Sequence, residues 1–450
     1  MYDPKIFKAY DIRGIYRDQL DEDFAYKLGQ ALVSYLKADV LVVGRDMRQS
    51  GTKLFEALAQ GILDSGADVL DVGQVSTPLL YFTIAEYGYP GGVMISASHN
   101  PAQYNGFKIC QKQAIPLSLE EGLSELKQIV EKNQLVQKPK GQLIQTDVTD
   151  DYVQKVLGLV NVSLLKRAKE LKVVADFGNG MGAKTLSNIF QTLGLNLLPL
   201  YPEPDGSFPH HEPNPLKEEN LIDLEKAVIK EKADLGIALD GDADRIGFVD
   251  EKGETVSGDI ITALLAKMVL EKYPCAKIIY DLRSSWSTAE EIQKAGGQPI
   301  EYKVGHALIK RKIKEEDAAF AGELSMHFYW KDFYGVENAD LAILKILELL
   351  LQEKKSFSKL VKPLKRYFHS GEINFEVSDK EKKIQEIAQK YQDQPNARVS
   401  YLDGLKIEFP NWWLSLRPSN TEPLLRLNLE AKTKELMEEK KQELKALIQG

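Results

Sequence analysis

Cysteine is nearly absent. Cys110 and Cys275 are the only two in 450 residues, far apart and outside any paired motif. That excludes a disulfide framework and makes a reducing compartment, the cytoplasm, the expected location. Long apolar runs are missing as well. The most apolar stretch, 339–351, is broken by Lys345 and Glu348 and reads as a core-facing helix rather than a membrane span. The opening Met1-Tyr2-Asp3-Pro4-Lys5 does not read as a secretory signal. Positive charge is not in excess. Lys and Arg total 58 against 66 Asp and Glu, a formal charge of −8. This argues against nucleic acid or a membrane surface as partner and leaves a small anionic substrate open. Low-complexity tracts and Gly/Ser linkers are also lacking. What remains is ordinary soluble-protein composition, 43% apolar and 28% charged, in a chain long enough for three or four domains of ~100–150 residues.

A weak internal repeat is present. "VLVVGRDMR" (40–48), "LKVVADFGNG" (171–180) and "KIIYDLRSS" (277–285) are β-branched strands, each ending in a polar loop with an Asp. Each precedes a helix-like segment and a second strand, "SGADVLDVG" (65–73), "LGLNLLPLY" (193–201) and "AGGQPIEYK" (295–303). Strand, helix, strand three times over predicts three related α/β modules with mixed sheets. Phe24, Leu28, Ala31, Leu32, Tyr35 and Leu36 share one helical face, as do Leu264, Met268 and Val269. The C-terminal part differs. Strand-like 372–377, 398–409, 412–418 and 422–431, with a hairpin signal at Leu402-Asp403-Gly404, alternate with helical 380–391 and 432–448. That predicts a smaller α+β domain. The expected division is 1–149, 150–255, 256–366 and 367–450.

Several constellations could carry chemistry. In "LGIALDGDADRIGFVDEKG" (235–253), Asp240, Asp242 and Asp244 stand two apart between apolar strands. Hard oxygen donors in a tight loop suit Mg²⁺ or Ca²⁺, and three close carboxylates repel without a cation. An EF-hand fails here, because Arg245 sits where that loop needs Gly and both flanks are strand-like. Arg245 fits a place where an anion meets the metal. "RPSNTEPLLR" (417–426) offers Arg417, Ser419, Asn420, Thr421 and Arg426, a phosphate cradle by composition. In "GELSMHFYW" (322–330), Glu323, Ser325 and His327 alternate, so an extended segment would project them to one side, suited to a sugar ring. Arg13, Lys108, Arg283 and Gly305-His306 each follow or end a strand-like run. "GNGMGA" (178–183) imitates a dinucleotide fingerprint and keeps a dinucleotide-dependent oxidoreductase as an alternative of another class. "HHEP" (210–213) has no further ligand at zinc spacing. At the tip of the strand-like run 92–95, "SASHNP" (96–101) places Ser98 beside His99. A Ser–His neighbour pair could be an acyl-transfer nucleophile with its base, but adjacent residues rarely face each other productively. Beside a carboxylate metal loop, phosphoryl transfer is the better expectation.

The chain resembles the α-D-phosphohexomutases, from "FKAYDIRG" near the start to "RPSNTEP" near the end. "SASHNPAQYNGFK" is similar to that family's phosphoserine loop, "DGDADR" to its magnesium loop, "GELSMH" to its sugar loop and "RPSNTEP" to its phosphate loop. The resemblance implies three similar α/β domains and a smaller fourth around a central cleft. It implies that Ser98, as a phosphoserine, ligates Mg²⁺ with Asp240, Asp242 and Asp244. Arg13, His99, Lys108 and His306 would line the site, and Arg417, Ser419, Asn420 and Thr421 would hold a hexose phosphate. The implied reaction interconverts hexose 1- and 6-phosphates of mannose or glucose through hexose 1,6-bisphosphate, in a monomer or homodimer. A phosphoglucosamine mutase is the alternative within the family. Met326 stands where the family usually has Gly, and Arg283 where many members have Lys. Arg is a poor acid or base, which shifts the expected proton transfer to His306 or Lys108.

Overall fold

A computed structural model describes residues 2–132, 139–419 and 424–449. The repeat expected from the sequence occurs three times with one topology. In the first copy, the strand Val40–Arg45, helix Gly51–Asp64, strand Asp68–Gln74, helix Thr77–Glu86 and strand Gly91–Ile95 follow in order, and the chain returns along Tyr104–Gln111. Val40–Arg45 pairs in parallel with Asp68–Gln74 and Gly91–Ile95, and Gly91–Ile95 pairs antiparallel with Tyr104–Gln111. The same pairings join Lys172–Asp176, Asn196–Leu200, Leu235–Leu239 and Ile246–Asp250. They recur among Lys277–Asp281, Gln298–Tyr302, Phe320–Gly322 and Phe328–Trp330. Helical crossovers make the inner strands parallel, and one tight turn makes the return strand antiparallel.

Local chemistry explains the elements. The central strands are apolar and buried over most of their length, as suits a sheet covered by helices on both faces. The helix Glu22–Leu36 starts at Asp21, whose side chain accepts from the Phe24 amide, and ends at left-handed Lys37. It crosses the helix Gly51–Asp64 at two glycines. A Cβ on Gly61 would lie 2.0 Å from the Tyr26 carbonyl, and one on Gly29 2.3 Å from that of Leu58.

The C-terminal part is an antiparallel sheet, ordered Phe368–His369, Leu424–Ala431, Trp412–Pro418, Leu405–Glu408 and Arg398–Ser400, with Ile373–Glu376 also on Leu424–Ala431. The helices Lys380–Tyr391 and Lys434–Gln449 accompany it. Its apolar core, including Phe375, Tyr391, Leu414, Leu427 and Leu444, is its own. A different cluster runs through the other three units, joining Phe82, Phe190, Phe248, Phe320 and the buried face of the helix Ala339–Glu353. No described helix is long and apolar enough to cross a membrane.

Because the three modules share a topology, the turns leading into their return strands, 96–103, 240–245 and 323–327, are equivalent positions. They contain the motifs of Ser98, of the three Asp and of Glu323-Ser325-His327.

Candidate active site

The three return turns meet. Each has a non-glycine residue in the left-handed region, Ser98 (φ 50°), Ala243 (φ 58°) and Met326 (φ 69°), a conformation held against its local cost by surrounding contacts. Those contacts link the modules. The Thr77 amide donates to the Asp242 carbonyl at 2.9 Å, and the Ile246 amide to that of Met326 at 3.1 Å. A Cβ on Gly241 would fall 2.6 Å from the Ser98 carbonyl, so glycine is what lets the serine and metal turns touch.

Ser98 is buried, and its hydroxyl donates to Asp240 Oδ2 at 2.7 Å while lying 3.1 Å from His99 Nδ1. The adjacent Ser and His therefore do face each other, against the sequence-based expectation, because the left-handed turn at Ser98 folds the two side chains together. Ligand atoms of Asp240, Asp242 and Asp244 lie within 4.8 Å of one another, all buried. Among the described residues, Asp242 Oδ1 is buried without a hydrogen-bond partner, and the nearest charged partner of Asp244 Oδ1 is His327 Nε2 at 3.4 Å. An all-oxygen set with such weakly satisfied carboxylate oxygens fits a hard divalent cation. Lys108 Nζ bridges Asp242 and Asp244. Burial works against that ammonium, but the three aspartates outweigh it and hold its pKa above the usual lysine value. Burial and the other two aspartates push Asp240 well up. Burial also acts to raise Asp244, yet Lys108 and His327 hold it well below the usual range. Burial, with Arg245 and Arg13 nearby, keeps His99 neutral. Arg13 donates to Asn100 Oδ1 at 2.6 Å and pairs with Asp11, and Arg245 Nε stands 3.8 Å from Asp240 Oδ2.

The third turn corrects one expectation. Residues 323–327 are a turn between two short strands and not an extended segment, so alternation does not align their side chains. They converge by curling. His327 Nδ1 lies 3.1 Å from Glu323 Oε2 and 3.2 Å from Ser325 Oγ, and its Nε2 lies 3.4 Å from Asp244 Oδ1. Burial and Arg245 oppose a charged His327, but Asp244 and Glu323 raise its pKa to about 9. Gly305 (φ 136°) donates its amide to Glu323 Oε1 at 3.1 Å. A Cβ there would meet the Tyr10 ring at 2.5 Å. His306 starts the helix His306–Glu316, its ring 6.2 Å from that of His327. Burial, then Lys310 and Lys108, hold it well below the usual imidazole range.

A basic cluster continues from this turn into the C-terminal unit. Arg283 pairs with Asp281 at 2.8 Å, and Asp281 also accepts the Leu324 amide at 2.7 Å. Arg417 and Arg426 are opposite each other on paired strands. Arg417 meets Asp403 at 3.1 Å, and Asp403 accepts the Val304 amide at 3.2 Å. Ser419 is buried beside Arg417, its carbonyl accepting from Lys380. Asn420 and Thr421 lie outside the described residues.

Sequence reading missed Arg48. It is buried and donates to three carbonyls of the serine turn, those of Ser98 (2.9 Å), Asn100 (2.5 Å) and Pro101 (2.7 Å), and to that of Tyr104 (2.9 Å), which opens the return strand, with Asp46 behind it at 3.2 Å. The signal was available, because Asp46-Met47-Arg48 and Asp281-Leu282-Arg283 end equivalent strands. The dinucleotide-like 178–183 has a different use. The Met181 amide donates to the Gly241 carbonyl at 2.9 Å, so this helix start is packed against the carboxylate turn. His211 of "HHEP" lies 3.0 Å from Asp176 and belongs to a structural loop.

Comparison with known proteins identifies the family. Four family models match in order: phosphoglucomutase/phosphomannomutase alpha/beta/alpha domains I, II and III over residues 4–137, 150–253 and 257–367, and the C-terminal domain over 372–447. A phosphomannomutase of Methanocaldococcus jannaschii is 43% identical over 99% of this chain and 98% of its own length. One from Escherichia coli K12 is 40% identical over 95% and 94%. A crystal structure of a phosphoglucomutase/phosphomannomutase family protein from Burkholderia thailandensis superposes with a TM-score of 0.90 at 33% identity, covering 100% and 98% of the two chains. Matched along its length by all four family models, the chain belongs to the phosphoglucomutase/phosphomannomutase family of phosphomutase enzymes.

Proposed function

We propose that the protein interconverts hexose 1-phosphate and hexose 6-phosphate, of mannose and glucose, with Ser98 as the phosphoryl carrier and hexose 1,6-bisphosphate as the intermediate. The carrying observation is the Ser98 hydroxyl, 2.7 Å from Asp240 at the edge of the three-carboxylate cluster. Asp240, Asp242 and Asp244, with a phosphoryl oxygen on Ser98, would hold Mg²⁺, which when bound neutralises charge on the phosphoryl group. Arg245, Arg13 and Lys108 add positive charge around the same group, and in phosphoryl transfer such positioning and charge supply most of the catalysis. The P–O bond to Ser98 breaks as a P–O bond forms to the free sugar hydroxyl. The hydroxyl proton passes to a base. His306, at the start of the helix His306–Glu316 with its ring 6.2 Å from that of His327, is the candidate, because Lys108 is held between Asp242 and Asp244 and Arg283 between Asp281 and Glu372. The bisphosphate then turns in the cleft and returns its other phosphate to Ser98. Arg417, Ser419 and Arg426, with Asn420 and Thr421, would hold the phosphate that is not transferred. Glu323, Ser325 and His327 would meet the 3- and 4-hydroxyls, which glucose and mannose share. The division of the chain near 149, 255 and 366 is supported by the change from one sheet to the next near each of these points.

A coupled assay with mannose 1-phosphate, glucose 1-phosphate, galactose 1-phosphate and glucosamine 6-phosphate tests the reading. The first two should differ in kcat/KM by less than about a hundredfold. Galactose 1-phosphate, inverted at carbon 4, should be much poorer, because a buried polar partner is left unpaired. Turnover confined to glucosamine phosphates, or robust turnover of galactose 1-phosphate, contradicts it.

A further inference from the structure

Glu372 has no part in the reaction as described, yet three arginines surround it. Arg283 Nη1 and Arg417 Nη2 lie 3.5 and 3.7 Å from its Oε2, and Arg426 Nη1 lies 3.4 Å from its Oε1. These arginines come from two units, Arg283 from the third module and the others from the C-terminal sheet. Glu372 sits between Gly371 (φ 70°) and the strand Ile373–Glu376, in the short link that follows the sheet strand Phe368–His369.

Charge counting shows what the carboxylate does there. Arg283, Arg417 and Arg426 contribute three positive charges, and Asp281, Glu372 and Asp403 three negative ones. Among the ion pairs described above, positive and negative charges are equal before any ligand arrives. A phosphate monoester brings ≈ −1.5 to −2 at pH 7. Adding it beside Asp281, Glu372 and Asp403 brings like charges together at a partly buried site, which is costly. Withdrawal of one carboxylate relieves that cost. Asp281 is tied to Arg283 and to the Leu324 amide. Asp403 is tied to Arg417 and to the Val304 amide. Among the described residues, Glu372 makes only longer charge contacts, to the three arginines, and keeps 26% of its side chain exposed, so it can withdraw into solvent. We propose that Glu372 is a placeholder for substrate phosphate, a carboxylate that holds Arg283, Arg417 and Arg426 together in the free enzyme and is displaced when phosphate binds. Affinity for the sugar phosphate is thereby set by a competition between the ligand and Glu372. Because Glu372 of the C-terminal unit pairs with Arg283 of the third module, phosphate binding also releases a contact between the two.

This inference rests on the proposed phosphate site, and calorimetric binding separates the two. Inorganic phosphate and glucose 6-phosphate are titrated into the full-length protein, Glu372→Gln and Glu381→Gln, the last removing an exposed charge of the same unit as a control for net charge. The expected result is roughly tenfold tighter binding of both ligands to Glu372→Gln only, the scale of one charged contact. In steady-state assays KM should fall with kcat no higher than in the native protein. Equal binding to native protein and Glu372→Gln, or weaker binding, overturns the placeholder role, the weaker case making Glu372 a support for the arginines. Failure of the native protein to bind glucose 6-phosphate counts against the proposed function instead, and the inorganic phosphate titration still decides on Glu372.

Discussion

Residue identities at the centre of the site were legible because their chemistry needs few residue types at short spacing. Three carboxylates two apart, and a serine at a strand tip, announce themselves in one dimension. Arg48 did not, because a lone cation after a strand looks like a surface group, and only the folded turn shows its guanidinium spanning four carbonyls. Lysine has one point charge where arginine has a planar fork. Arg48→Lys should therefore loosen the serine turn and lower kcat about ten- to a hundredfold, with KM moving little, on the scale of ~1.5–3 kcal/mol for charged hydrogen bonds. Steady-state kinetics beside a melting curve checks this, and a purely stability-driven loss would lower Tm without the kcat signature. Asp242→Asn removes one charge from the cluster that would hold the cation. Calorimetry with Mg²⁺ should show weaker binding than in the native protein, and unchanged affinity would place the cation elsewhere.

Elements followed their patterns more faithfully than turns did. β-branched runs became buried strands, and apolar residues at helical spacing became buried faces, because periodicity reports burial directly. The segment 323–327 broke this rule. Its alternation reads as strand, but the chain must reverse between the paired Phe320–Gly322 and Phe328–Trp330, and the left-handed Met326 accommodates that reversal. The helix Ala339–Glu353 holds a further feature that periodicity could not reveal. Asp340, in its first turn, is buried against the Tyr152 hydroxyl at 2.8 Å. Burial raises its pKa to about 6, partly offset by hydrogen bonds from Tyr152 and Thr185. With the folded value above the unfolded one, the group favours folding below the unfolded value near 3.8, and that contribution is lost as pH rises through about 6. Asp340→Asn should then raise stability at pH 8 by about 1–3 kcal/mol and have almost no effect near pH 4. Denaturant unfolding at the two pH values measures the difference, and an equal effect at both would assign it to packing instead. Gly61→Ala, placing a methyl against the Tyr26 carbonyl, should destabilise the crossing of two N-terminal helices by about 1–3 kcal/mol.

At the scale of the whole molecule, the sequence showed a repeat but not its consequence. Three strand–helix–strand signals were visible, whereas the meeting of the three return turns depends on how the modules pack, which no local pattern encodes. The C-terminal unit was visible as a change of pattern, and its separate core gives that change physical meaning. Polar contacts join it to the third module. They include Lys406 to the Leu282 carbonyl and to Glu301, and the Trp286 amide to Glu430. A unit joined this way is expected to rotate about residues 365–370 as the bisphosphate turns. Small-angle scattering should show a more compact particle with glucose 6-phosphate than without, and superimposable profiles would count against that motion. The central claim is that Ser98 carries the phosphoryl group, and one single-turnover experiment tests it most directly. Protein phosphorylated with radiolabelled phosphate is mapped to the labelled residue and then mixed with unlabelled glucose 1-phosphate. The account predicts label on Ser98 beforehand, and afterwards in glucose 1,6-bisphosphate and hexose monophosphate, with none transferred by Ser98→Ala. Label on another residue, or label released only as inorganic phosphate, would contradict it.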